Sequence, residues 1–307
     1  MNILTAATLA ILFNFSALAL VDYSPKSSSS NGGSYNPVTT RPSAPARSER
    51  SVSRAQTSSS SSDFWAFLPE YYDFSLGYVA NKSFITDENI NFVNFNLKMG
   101  FAHGIFIDLS ASGAQSLETS EFEQANSGVK LGFNWLEIGN DYNKLIIDTY
   151  LGMRFKGDSE FSTQRNDRLL GVSTEKRFGA VALGVDYERV FADTLDNDEE
   201  MAVGDISHIK ANLGIMVSHE IQFLLTYGEV KVSSSDFFTA NSLNSDLKYS
   251  YLMPQMFLRM SRSVRLNMGA GFQVSRPDTS VLNETTKLWD LPVLYGNTLF
   301  AGLNLSI

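Results

Sequence analysis

Residues 92–101 read FVNFNLKMGF. Every second position is apolar: Val93, Phe95, Leu97, Met99 and Phe101. Between them stand Asn94, Asn96, Lys98 and Gly100. Successive side chains of a strand point to opposite faces, so this stretch has one apolar face and one polar or small face.

The same period of two recurs along the chain. Ile105, Ile107, Leu109 and Ala111 alternate with Phe106, Asp108 and Ser110, and Val129, Leu131, Phe133 and Trp135 with Lys130, Gly132 and Asn134. Leu145, Ile147, Thr149, Leu151, Met153 and Phe155 enclose Asp148, Tyr150, Gly152 and Arg154. Further members are 181–188, 209–218 and 264–274, with weaker ones at 74–80, 170–178, 221–227, 252–260 and 299–307. The pattern predicts about 12 antiparallel strands (10 or 14 as alternatives) of roughly ten residues, the length that spans a bilayer when tilted.

Soluble sandwiches and lipocalin-like barrels alternate as well. Strand length separates them, because soluble strands cluster at about five or six residues. Connection length is a second discriminator. Short connections at 103–104, 137–143, 178–179, 218–220 and 261–263 alternate with long ones at 81–89, 112–126, 157–167, 192–205, 233–247 and 275–292. Transmembrane barrels have short periplasmic turns and long extracellular loops. An even strand count then leaves both termini in the periplasm.

The chain ends Phe300-Ala301-Gly302-Leu303-Asn304-Leu305-Ser306-Ile307. It resembles the C-terminal assembly signal of Gram-negative outer-membrane β-barrel proteins, a Gly followed by hydrophobic residues three and five positions on. Gly302, Leu305 and Ile307 match. Ile307 replaces the usual terminal aromatic, and Phe300 the usual leading polar residue. The resemblance is to the porin-like superfamily over 64–307, with no specific subfamily. It implies an all-β, up-and-down barrel in the outer membrane, with lipid, lipopolysaccharide and the barrel-assembly machinery as partners.

Two segments precede the barrel. Residues 3–20 are apolar, and Ala17-Leu18-Ala19 fits the small-x-small rule, which predicts a signal peptide at 1–19 although no Lys or Arg precedes the apolar core. A buried N-terminal helix is the alternative. Residues 20–62 are Ser- and Pro-rich, too poor in apolar surface to offset their ordering entropy, and are expected to be a disordered periplasmic linker. Lys26, Arg41, Arg47, Arg50 and Arg54 outnumber Asp22 and Glu49, so the linker is a spacer or a tether to an anionic partner. Phe64, Trp65, Phe67 and Leu68 open the barrel domain, 63–307.

Composition excludes other classes. There is no Cys, so disulfides and Cys-based metal or redox sites are absent. A net charge of −9 argues against nucleic-acid binding. No cofactor motif is present.

If the apolar face meets lipid, the other lines a lumen. It holds Lys98, Asp108, Lys130, Asp148, Arg154, Asp186, Glu188, Lys210, Arg259 and Arg265. These would line a narrow, slightly anion-preferring pore, or form an ion-paired plug. Gly100, Gly132, Gly152, Gly184, Gly214, Gly269 and Gly302 share that face, relieving curvature or leaving room for solute. Outward aromatics are expected at the membrane interfaces: Phe101, Trp135 and Phe178 near the short turns, and Phe155, Tyr187 and Tyr227 near the long loops. The acidic loop 192–205 is a solvated surface or a site for divalent cations bridging lipopolysaccharide.

Three functions follow. The leading one is a passive channel for small hydrophilic solutes. A sealed barrel acting through its loops or linker is the second. A lipid hydrolase is the third; it needs a base within reach of a Ser. Only His208 lies near the long-loop side; its parity turns it inward and Ser207 outward, while His103 and His219 fall in short turns.

Overall fold

The computed structural model describes residues 69–84, 89–116, 122–140, 142–193, 203–234, 245–277 and 288–307. The expected signal peptide 1–19, linker 20–62 and aromatics 64–68 lie outside the described residues.

Twelve strands follow in order: β1 Tyr71–Lys82, β2 Asn89–Gly100, β3 Ile105–Ser116, β4 Phe122–Ile138, β5 Leu145–Phe155, β6 Asp167–Phe178, β7 Val181–Ala192, β8 Ile206–Met216, β9 Ile221–Val232, β10 Leu247–Arg259, β11 Val264–Ser275 and β12 Thr298–Ser306. Each pairs antiparallel with its sequence neighbours, and β1 pairs with β12 to close the barrel. The closing seam runs from Asp73 opposite Ser306 to Asn81 opposite Thr298. Backbone bonds between Tyr72 and Ile307, 2.9 and 3.0 Å, close the seam at its short-turn end. Closure leaves no sheet edge, which a spanning sheet requires because hydrocarbon offers no partner to a bare N–H.

The short turns are built by local chemistry. His103 and Gly104, with φ of 66° and 77°, make the primed turn geometry that suits a right-twisted hairpin. Gly179 opens the two-residue turn between β6 and β7 at φ 61°. The long connections are shorter than expected in one place. β3 and β4 run on, leaving only 117–121 between them. A register shift between Ala111 and Gly113 absorbs the mismatch, and the Ser112 hydroxyl both accepts from the Asn126 N–H and donates to its carbonyl, each at 3.0 Å. Asn126, expected in the loop, is therefore part of the wall.

Outside, Leu131, Leu151, Leu170, Leu183, Val185, Ile209, Phe223, Leu225 and Leu299 are exposed and form an apolar belt. Water penalises exposed apolar area on this scale, whereas lipid requires it. At the long-loop end the belt gives way to outward charges. Arg189 pairs with Asp205 at 2.6 Å, Lys231 with Asp246 at 2.7 Å and Lys248 with Glu229 at 2.8 Å.

Candidate functional site: the lumen

Strand parity places all ten predicted lumen residues on the inner face. Lys98 stands opposite Asp108, Asp108 opposite Lys130, Asp186 opposite Lys210, and Arg259 opposite Arg265. The expectation of one uniformly polar inner face does not hold. Its middle and short-turn part is charged, but its long-loop part is largely apolar across β6–β10. Val79, Leu169, Val190, Ile206, Val230, Val232, Leu247 and Met253 all point inward there.

The charged part is a connected network. Glu188 accepts from Lys130 Nζ at 2.8 Å and from Tyr150 Oη at 2.7 Å. Asn96 donates to Asp108. Asn212 donates to Asp186 at 2.7 Å and accepts from Thr226 at 2.8 Å. Glu175 and Arg177, side by side on β6, face each other at 3.9 Å. Glu175, Arg177, Asp186, Lys210, Asn212, Thr226 and Gln255 are all buried. A wide aqueous pore would leave such groups wet. The β6–β10 wall is instead closely packed with polar side chains that bond largely to one another, although Asp186 Oδ1 and Gln255 Nε2 are buried without a hydrogen bond among the described residues.

Three of the expected inward glycines, Gly100, Gly132 and Gly269, lie under aromatic rings. The space at several inward glycines is already filled by an aromatic ring from the adjacent strand. Phe106 lies over Gly132, Tyr71 over Gly100, Phe300 over Gly269, Tyr150 over Gly171 and Tyr251 over Gly228. Each glycine lets a ring lie flat, and several of these rings then hold a polar group. Tyr150 binds Glu188, Tyr251 binds His208 at 2.7 Å, and the Lys98 ammonium sits 4.3 Å from the Phe106 ring centre. These five glycines are seats for rings rather than openings for solute.

The apolar part is closed by residues from the end of the expected long loop 275–292 and from the stretch that follows it. Leu288, Leu291, Val293, Leu294 and Tyr295 are buried against the inward face of β6–β10 and β12. Tyr249 Oη donates to the Pro292 carbonyl at 2.9 Å, and Gln273 Nε2 donates to the Val293 and Leu294 carbonyls at 2.9 and 2.7 Å. Trp289 stacks on Tyr295 at 3.8 Å and meets Phe161 edge-on at 5.3 Å. Asp290 pairs with Arg154, which also donates to Asp167 Oδ2 at 3.3 Å. Asp167 Oδ1 in turn accepts from Arg165 Nε at 2.9 Å. The apolar run of 288–295 was the available signal for this inward fold, with Trp289-Asp290 inside it.

Between the charged layer and this segment lies a cavity of about 170 Å3. Asn81, Asn94, Ser110, Ser112 and Asn126 give it a polar wall on the β1–β4 side. Phe92, Phe161 and Trp289 give it an aromatic one, and Lys130, Arg154, Glu188 and Asp290 border it.

The remaining candidates are placed as follows. Trp135 and Phe178 are exposed at the short-turn end, and Phe101 is half-buried just after β2. Trp135 Nε1 donates to Thr149 at 2.5 Å. Phe155 and Tyr227 are exposed near the long-loop end, with Tyr187 half-buried, one outward position short of Arg189 and Glu229. Gly302 faces Gly77 across the seam, Leu305 is half-buried and Ile307 is exposed. His208 is buried inside against Tyr251. No group of His, Asp and Glu able to hold a metal occurs among the described residues; the acidic loop 192–205 is described only at 192–193 and 203–205.

No protein-family model matches the chain, and no curated protein sequence is similar to it. Solved structures are. An outer-membrane channel from Pseudomonas putida F1 superposes with a TM-score of 0.55 at 9% identity, covering 77% of this chain and 94% of that one. The NanC porin gives 0.50 at 11%, covering 76% and 98%. Such identities speak for the fold alone. Closed, twelve-stranded, apolar outside and charged within, the chain has the fold of the porin-type outer-membrane β-barrels.

Proposed function

We propose that the chain is a passive outer-membrane channel for small hydrophilic solutes, closed in the described state by residues 288–297. The cavity carries this reading. A barrel serving only as a sealed scaffold has no use for a polar-walled cavity beneath an inward-folded segment, because space that side chains could fill forfeits packing energy. Likeness of fold to outer-membrane channels agrees with it. In this reading the ten inner charges line the path, the outward aromatics sit at the two interfaces, and both termini are periplasmic. Lipid and lipopolysaccharide surround the barrel, and Gly302, Leu305 and Ile307 present it to the assembly machinery. Purified protein in planar bilayers is expected to give discrete conductance steps of low open probability. A silent bilayer with protein that shows heat-modifiable gel migration would overturn the proposal.

A second reading has its own support: the packed ion-pair network of the β6–β10 wall suits a permanently sealed barrel that acts through its loops or its N-terminal linker. Deleting 24–62 would then abolish envelope effects and leave conductance nil. The hydrolase reading is weakest. His208 lies inside the barrel with Nε2 bonded to Tyr251, and Ser207 faces the opposite side.

A further inference from the structure

Arg154 stands where β5 meets the cavity, and two carboxylates compete for it. Asp167 is a fixed part of the wall, and its other oxygen is held by Arg165. Asp290 belongs to the inward segment, and only one of its oxygens is engaged. Its Oδ1 is buried and makes no hydrogen bond among the described residues. A guanidinium binds a carboxylate best through two parallel N–H bonds, one to each oxygen. The Arg154–Asp290 pair is therefore an incomplete version of the contact Arg154 can make. It leaves a charged oxygen dry, which is costly.

Charge makes the same point. Four ionised side chains border the cavity: Lys130, Arg154, Glu188 and Asp290. Lys130 and Glu188 are paired across the barrel wall. Arg154 and Asp290 balance each other, but of the four only Asp290 rides on a segment outside the strands. If that segment withdraws, the cavity keeps Arg154 and becomes positive. Trp289 and Tyr295 are stacked, and the Leu288 N–H donates to Tyr295 Oη at 3.1 Å, so the acid and the apolar lid hold together as one piece. The cavity, about 170 Å3, has room for a compact solute.

We infer that Arg154 is a recognition site for the carboxylate of a small anionic solute, and that Asp290 occupies it in the closed state as an internal stand-in. A solute carboxylate takes both donors of Arg154, Asp290 is released with Trp289, and the lid leaves. This rests on the channel reading, and the test separates the two.

Full-length protein is reconstituted in planar bilayers and given lactate or, as its neutral counterpart, propane-1,2-diol. Lactate is expected to raise the open probability of the wild type by on the order of tenfold, and the diol to leave it unchanged. Asp290→Asn is expected to open without lactate and to lose the response. Arg154→Lys, a point charge without the fork, is expected to respond only at on the order of tenfold higher lactate. Equal effects of lactate and diol on the wild type, with Asp290→Asn still opening, would overturn carboxylate recognition and leave the channel intact. Silence of both proteins, each heat-modifiable, would overturn the channel itself. Should the variants not fold, wild-type tryptophan emission in detergent decides. Lactate is expected to shift it through Trp289, with no shift in Trp289→Phe, and an unmoved wild-type spectrum overturns the proposal.

Discussion

The two parts of the lumen rest on the same strands and fill their space by opposite means. Toward the short turns, the wall itself supplies the filling: Glu188, Lys130, Tyr150, Asp186 and Asn212 come from β4, β5, β7 and β8 and satisfy one another. Toward the long loops, the wall is largely apolar across β6–β10 and a separate segment, 288–297, is folded down to cover it. Breaking a polar network leaves a buried charge unpaired, which strains the wall. Losing an apolar lid exposes hydrophobic area but leaves every strand paired. The first arrangement is built for permanence and the second for removal.

Four substitutions sharpen this contrast. Glu188→Ala is expected to cost most, about 3–5 kcal/mol, because Lys130 keeps its charge and loses its partner. Urea unfolding in lipid vesicles, followed by tryptophan emission, measures it; a loss no larger than that of a surface change would mean that the network is not structural. Gly171→Val is expected to cost about 1–3 kcal/mol by pushing the Tyr150 ring off its seat and away from Glu188. A double variant with Tyr150→Ala should recover part of that loss. Tyr251→Phe, which removes one hydrogen bond to His208, is expected to cost about 1 kcal/mol. Trp289→Ala is expected to shift barrel stability least of all while raising open-channel time in bilayers. If it unfolds the barrel as readily as Glu188→Ala does, the distinction between wall and lid fails.

Much of the architecture was legible because strand periodicity and loop alternation are local. Lys98, Asp108, Lys130 and Asp186 could be assigned to the inner face from parity alone. Glu175 and Arg177 escaped, although they share that face. Lys176 lies between them and points outward, and its place beside Phe178, 5.5 Å from the ring, belongs to the membrane edge. An outward lysine breaks the apolar pattern that parity reasoning follows, yet near an interface it can extend its ammonium to water. The inner apolar half was missed for a related reason. Val190, Val230 and Val232 look like lipid-facing residues that have slipped register unless their cover is known. That cover, 288–297, lies far from β7 and β9 in sequence, and no local rule announces that an apolar loop will turn inward. The ring-over-glycine pairs, such as Phe106 on Gly132, depend on register between strands and so appear only in three dimensions.

The closing seam has a consequence for the order of events in folding. β1 finds its second partner only in β12, the last strand of the chain. The lid residues 288–297 run directly into that strand. Until β12 is zipped in place, the sheet has two bare edges and no closed interior for the lid to enter. Seating the lid and sewing the wall shut are thus one late, long-range step, the kind whose loop-closure entropy is met before any contact rewards it. A chain cut after β11 would lose its stopper and its last stitch together.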